Sequence, residues 1–156
     1  MPEKQTVKRA RKLKRAGRAP STQAGEFVRE EIHHVREGKH GAASTKQAIA
    51  IGLSKARRAG VKLPSPPPSA TERTRQSAAS AKRAGQRHTR PSPRRSRATL
   101  AALKREPHRA ASKKALSRQA RTAAGRRTAK ARSASARKAA RTRKADGTGH
   151  RRRTAA

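Results

Sequence analysis

Large apolar side chains are scarce in this chain, and most of them are gathered in one window. Val, Ile, Leu, Met and Phe occupy fifteen of 156 positions, and nine of those fifteen lie between Pro20 and Leu63. Burial of such groups is what offsets the entropy of ordering a backbone, so this window is the part expected to fold. The charge sharpens the limit. With 44 Lys plus Arg against 8 Asp plus Glu, the formal net charge is +36, which repels itself and cannot be placed in an interior.

Charge divides the chain. Residues 1–19 carry eight Lys/Arg and one Glu, residues 20–63 carry eight against four Glu, and residues 64–156 carry 28 against three acids. The organisation read from this is a basic N-terminal arm (1–19), a folding block (20–63), a linker (64–69) and a low-complexity basic tail (70–156). Within the block, Gly25 to Gly60 holds four of the eight acids and the only Phe.

The block predicts two helices, near 22–37 and 45–59. Ser21 and Thr22 are good N-cap residues, and Ala24, Val28, Ile32 and Val35 recur at helical steps with Phe27 beside them. Glu26, Glu30 and Glu31 sit toward the positive end, and Gly38 is a natural stop. Ser44-Thr45-Lys46-Gln47 matches a capping box ahead of the second helix. There Ile49, Leu53 and Ala56 form one stripe, with Ala48, Gly52 and Ala59 in the strip beside it. Gly52 costs about 1 kcal/mol of helix propensity against Ala, and a close approach by the other helix would compensate for that. Lys55, Arg57 and Arg58 suit the negative end, Gly60 supplies a left-handed C′ residue, and Pro64 enforces the stop. Two helices bury only one seam, and folds near 40 residues usually need outside help. A homodimer through 20–63, or folding on a partner, is therefore expected.

The flanks read differently. Val7 to Gly17 has cations on every face of any helix it forms, so it is expected to be a solvated phosphate-binding arm. A nuclear-import signal or an organellar transit peptide would have similar composition. Leu63-Pro64-Ser65-Pro66-Pro67-Pro68-Ser69 reads as an extended polyproline spacer. In the tail a short unit recurs loosely at 54–60, 80–85 and 135–140, and its irregular spacing suggests a charge unit rather than a solenoid. Ser96 is placed to cap a turn carrying Leu100 and Leu103, and Ser112 to cap a second around Leu116. From Arg126 to Lys144, like charges at i,i+4 oppose the helix that Ala and Arg favour. Disorder in the free tail, with partial helix on phosphate, is the expectation. The fold class is all-α: a short helical hairpin with long disordered Ala/Arg/Lys-rich tails.

Several classes are excluded by composition. With no cysteine there is neither a disulfide framework nor a thiolate zinc site. The longest apolar run, Ala48 to Leu53, is far short of a membrane span, and no secretory signal pattern opens the sequence. A cytoplasmic, nucleoid location without a membrane partner is expected. His33, His34 and His40 suggest a metal, yet adjacent helical positions diverge by about 100° and no further ligand sits at a usual spacing, so solvent-facing or seam histidines are favoured. Glu30 and Glu31 beside His34 lack a nucleophile and a pocket, so no enzyme, cofactor or metal is expected.

The polycation is the functional signal. Phosphate contact releases condensed counterions and gives sequence-independent affinity that falls steeply with salt. The residues expected to make it are Lys8, Arg9, Arg11, Lys12, Lys14 and Arg15; then Lys55, Arg57 and Arg58; then Arg94, Arg95, Arg126, Arg127, Arg137, Lys138, Arg141, Arg151, Arg152 and Arg153. One aromatic is too few for base stacking, which favours backbone binding to double-stranded DNA over sequence-specific single-strand reading. RNA or ribosome association is the alternative, and a protein-docking hairpin localised by its tails is a third reading.

Two stretches carry a resemblance. Pro20 to Ile32 and His40 to Val61, including Gln47-Ala48-Ile49-Ala50-Ile51 and Leu53-Ser54-Lys55-Ala56-Arg57-Arg58, resemble a family of small basic bacterial proteins with a domain of unknown function. Some of its members are labelled plasmid stabilisation proteins. Glu106-Pro107-His108 followed by Ala115 to Ala120 is similar, more loosely, to the tails of such proteins. The resemblance implies a bacterial cytosol and supplies no catalytic residues. Pro91-Ser92-Pro93-Arg94-Arg95 resembles the Ser-Pro-basic turns of linker-histone tails, and the tail resembles bacterial linker-histone-like proteins in composition.

Overall fold

A computed structural model describes residues 2–87 and 92–153, with side chains through Lys144. The described residues contain α-helices and one 3-10 helix, and no strand. In chain order they are α1 (Lys4–Arg15), α2 (Pro20–Arg36), α3 (Thr45–Arg58), α4 (Glu72–Gln86), α5 (Pro93–Lys104), the 3-10 helix His108–Ala111, α6 (Lys113–Gly125) and α7 (Ala129–Arg153). They fall into two compact units, residues 1–116 and 117–156.

The predicted hairpin is α2 and α3. Its start differs from the expected one: Pro20 occupies N1 behind Ala19, without a side-chain cap. Proline's fixed φ and missing N–H suit that position, so Ser21 and Thr22 are carried inside the first turn. Ser44 caps α3 by accepting from Gln47 N, while Gln47 Oε1 accepts from Ala43 N at 2.7 Å, one residue earlier than a standard capping box. At the far end Gly60 has φ +85°, and the N–H of Val61 reaches Ala56 O at 3.0 Å, the Schellman closure.

The face α3 buries most completely is the strip of small residues. Thr45, Ala48, Gly52 and Ala56 are buried, whereas Ile49 and Leu53 are only partly covered. Small side chains let the two backbones approach. Two apolar clusters result: Phe27, Ala24, Ala10 and Ala56, flanked by Val7, Leu53, Val61 and Leu63, and Ile32, Val35, Ala42, Ala48, Ala110 and Ala111, flanked by Val28 and Leu116.

Other segments of the same chain pack on this pair, as a second copy was expected to do. The basic arm is a packed helix rather than a solvated tail. Thr6 and Ala10, both buried, set α1 against α2, and Arg9 reaches across beside them to Glu26. Helix α4 packs on α3 through Ala81 and Gly85, two positions of the recurring Ser-Ala-Lys-Arg-Ala-Gly unit. Residues 103–111 strap the hairpin turn through Gly41 N–Leu103 O (2.9 Å), Ala42 N–Pro107 O (3.1 Å), Thr45 Oγ1–Ala110 O (2.6 Å) and Arg36 Nε–Ala111 O (2.8 Å). Where a mostly disordered tail was expected, the structure draws α5, capped by Ser92 rather than Ser96, then α6, with Ser112 at its start, then α7. Neither α5 nor α6 buries a residue.

Candidate nucleic-acid interface and the buried charge cluster

On α1, Lys4, Lys8, Arg11 and Arg15 follow steps of four, three and four, which place them along one face. That stripe walls an open cleft of about 1410 Å³ whose other lining comes from α2 to α5 and from the turns that follow α2 and α3. Lys39, Lys55, Arg58, Arg95 and Lys104 complete the cationic lining, against one carboxylate, Glu31. The apolar part of the lining is Val7, Ile51, Leu100 and Leu103. Six expected phosphate contacts are thus brought together in one place: Lys8, Arg11, Arg15, Lys55, Arg58 and Arg95. Lys4, Lys39 and Lys104 were missed; the i,i+4 step from Lys4 to Lys8 was the available signal for the first.

Other expected contacts lie elsewhere. Arg9 faces the opposite way and pairs with Glu26 at 2.8 Å. Arg57 donates to Pro64 O at 3.3 Å. Lys12, Lys14 and Arg94 are exposed outside the cleft lining. Arg126, Arg127, Arg137, Lys138 and Arg141 are exposed, and Arg127 also bonds Ala131 O at 2.9 Å and the Ser135 hydroxyl. Pro91 and the side chains of Arg151, Arg152 and Arg153 lie outside the described residues.

Part of the cleft lining belongs to a cluster of buried charges. Lys55 Nζ is 2.6 Å from Glu31 Oε2 and 3.3 Å from Glu30 Oε1, so one ammonium holds two carboxylates that are almost wholly covered. The Glu31 Oε2 contact is one of charge, since no aligned hydrogen bond reaches that oxygen. Glu31 also lies 3.0 Å from His40 Nε2. Glu26, Glu30 and Glu31, expected to serve the helix dipole, instead tie α2 to α1 and α3. The N-terminal segment joins this network. Glu3 N donates to Glu30 Oε2 at 3.2 Å, and Glu3 Oε1 sits 2.9 Å from His34 Nε2.

The hydrogen bond from His34 holds the Glu3 carboxyl below its ordinary range, helped by the charges of His34 and Lys39. Hydrogen bonds from Lys39 and then His33 do the same for Glu37, and the Glu37 carboxylate in turn raises Lys39. Of the three histidines singled out in the sequence, His33 is solvent-facing and bonded to Glu37 at 2.8 Å, while His34 and His40 sit in the seam with Glu31. The last placement was not visible in the spacing, because the turn folds His40 back over α2. Among the described residues no helix is long and apolar enough to cross a membrane.

No curated protein and no solved structure matches the chain. Residues 11–66, from within α1 through the hairpin to the start of the proline-rich segment, match the profile of a family of unknown function, DUF6496, whose description carries neither an activity nor a plasmid-stabilisation label.

Proposed function

We propose that this chain is a non-enzymatic, sequence-independent DNA-binding protein of the nucleoid-associated type, which neutralises and bridges phosphate backbones. The observation that carries the reading is the disposition of charge from α5 onward. Between Pro93 and Lys144 there are 19 Lys/Arg and one acid, Glu106, and all 19 cations are exposed. Exposed cations in such excess over acids have a polyanion as their natural complement.

Maintenance of a plasmid would be a special case of the same backbone chemistry. The reading does not need a homodimer to stabilise residues 20–63, because α1, α4 and residues 108–111 pack on them. A second copy would add bridging through effective concentration. The tails are proposed to exchange between open and helical forms in the free protein, with phosphate favouring the helical form.

Competition between ligands tests the choice of nucleic acid. Duplex DNA is expected to displace a labelled duplex better than ribosomal RNA at matched phosphate and salt. Equal or better displacement by RNA would move the assignment to an RNA-associated protein.

A further inference from the structure

We propose that Glu31, His34 and His40 form a binding site for a divalent first-row metal ion of the zinc class, with three protein ligands and a fourth position open to the cleft. Glu31 and His34 are three residues apart on α2 and therefore share a face, and the turn returns His40 to it. One donor atom from each lies within 4.8 Å of the other two. Two nitrogens and one carboxylate oxygen make a donor set that suits zinc and its neighbours, and three ligands plus an open position is the arrangement of reactive zinc sites.

The contacts of His40 turn its Nε2 toward the Glu31 carboxylate. Its Nδ1 lies 2.9 Å from Gly41 O, a carbonyl that can only accept, so Nδ1 carries a hydrogen. In the neutral ring Nε2 is then a bare lone pair, and it faces Glu31 Oε1 at 3.0 Å. Two lone pairs at that distance repel unless a cation lies between them, either a second ring proton or a metal ion. Glu30 and Glu31 are both covered and share the single ammonium of Lys55.

The surroundings are those of a held site. Lys55 occupies Glu31 Oε2, which orients the carboxylate and leaves Oε1 toward His40, and Glu3 holds His34 at 2.9 Å. Such outer partners are what fix ligand direction at metal centres. The turn that carries His40 is pinned by Gly41 N–Leu103 O and Ala42 N–Pro107 O. Zinc–nitrogen bonds of about 2.1 Å in a tetrahedron set donors roughly 3.4 Å apart. Glu31 and His40 are already that close, and the donor of the His34 ring, 13% exposed, lies within 4.8 Å of both. All three residues line the cleft, which gives the ion its entry and leaves its fourth position to water or an anion.

The test is metal titration of the full-length protein after chelator treatment and desalting. Cobalt(II) is expected to bind at one equivalent with the intense visible absorption of a four-coordinate ion. Zinc(II) is expected to displace it and to raise the melting temperature. Glu31→Gln, His34→Ala and His40→Asn should each weaken binding by about tenfold or more, the scale of losing a ligand or its support. His33→Ala, on the exposed histidine paired with Glu37, should leave binding unchanged. Circular dichroism confirms that each variant is folded, and His34→Ala at the edge serves if His40→Asn is not. Absence of a tight equivalent, or binding that survives His34→Ala and is lost in His33→Ala, would overturn the assignment.

Discussion

Gly52 and Val28 are in backbone contact: a Cβ built on Gly52 would lie 2.7 Å from Val28 Cα and 3.0 Å from its N. This is where α3 crosses α2, and the missing side chain is what permits it. In Gly52→Ala the helix-propensity gain of about 1 kcal/mol opposes an overpacking cost of roughly 1–3 kcal/mol. Because the obstacle is main chain and cannot rotate away, the cost wins. Thermal unfolding should show Gly52→Ala destabilised, by up to about 2 kcal/mol. A stabilised variant would mean the helices stand further apart.

Lys55 answers Glu30 and Glu31, whose side chains are 2% and 1% exposed. Removing one partner of a buried pair costs about 3–5 kcal/mol, and since Lys55 is itself 20% exposed, a loss of roughly 2–4 kcal/mol is expected for Lys55→Met. The Arg9–Glu26 pair is the internal comparison. With the Arg9 side chain 49% exposed, Arg9→Ala should cost less than about 1 kcal/mol. Urea unfolding of the two variants should separate them clearly.

Glu3 is exposed, and its folded-state pKa lies below the ordinary 4.5 because His34 donates to it. A lowered carboxylate contributes stability that is present above the unfolded value and is lost as pH falls through the folded one. Carboxyl chemical shifts should therefore place the Glu3 midpoint below 4.5, and the stability difference between wild type and Glu3→Gln should fade on the acid side. A midpoint at or above the ordinary value would remove the Glu3–His34 contact from the account.

Helices α5 and α6 have no fully buried residue, and Arg137 and Arg141 on α7 set like charges at i,i+4. Such pairs oppose a helix by a few tenths of a kcal/mol each, and phosphate removes that opposition. Circular dichroism should show helicity rising when duplex DNA is added at low salt. A spectrum equal to the sum of its parts would end this reading of the tail.

How much of this could be read from the residues depended on what kind of contact was involved. The hairpin announced itself through side chains with a period and a punctuation: Val28, Ile32 and Val35, then Ser44 with Gln47, then Gly60. Gly52 was legible as a misfit that needed a close neighbour, and Val28 is that neighbour. Contacts made by small residues or by backbone were not legible. Thr6 and Ala10 carry no hydrophobic signal inside a polycationic helix, yet they seat α1. Ala81 and Gly85 looked like part of a charge unit, but Ala81 is buried and the missing side chain of Gly85 lets α4 approach the Arg57 carbonyl. The strap at 103–111 is held by main-chain carbonyls, which no side-chain pattern reports. The pairing of Glu31 with His40 depends on the direction of a turn, so spacing alone could not reveal it.

The cationic stripe on α1 offers a local test of the DNA interface. Replacing Lys4, Lys8, Arg11 and Arg15 together by Gln should lower the magnitude of the salt slope by up to about 3.6, at about 0.9 for each phosphate left without its cation. Lys12→Gln with Lys14→Gln, outside the cleft, should change it less. An equal reduction per charge in the two sets would show that the cleft has no special part.

The central claim is that exposed charge, in excess of anything the fold uses, is answered by phosphate. Its most direct measurement is the affinity of the full-length chain for a random-sequence duplex across a range of salt concentrations. If about ten cations engage, log affinity should fall against log salt with a slope of roughly −9, independent of the duplex sequence. No binding in dilute buffer, or an affinity indifferent to salt, would contradict it.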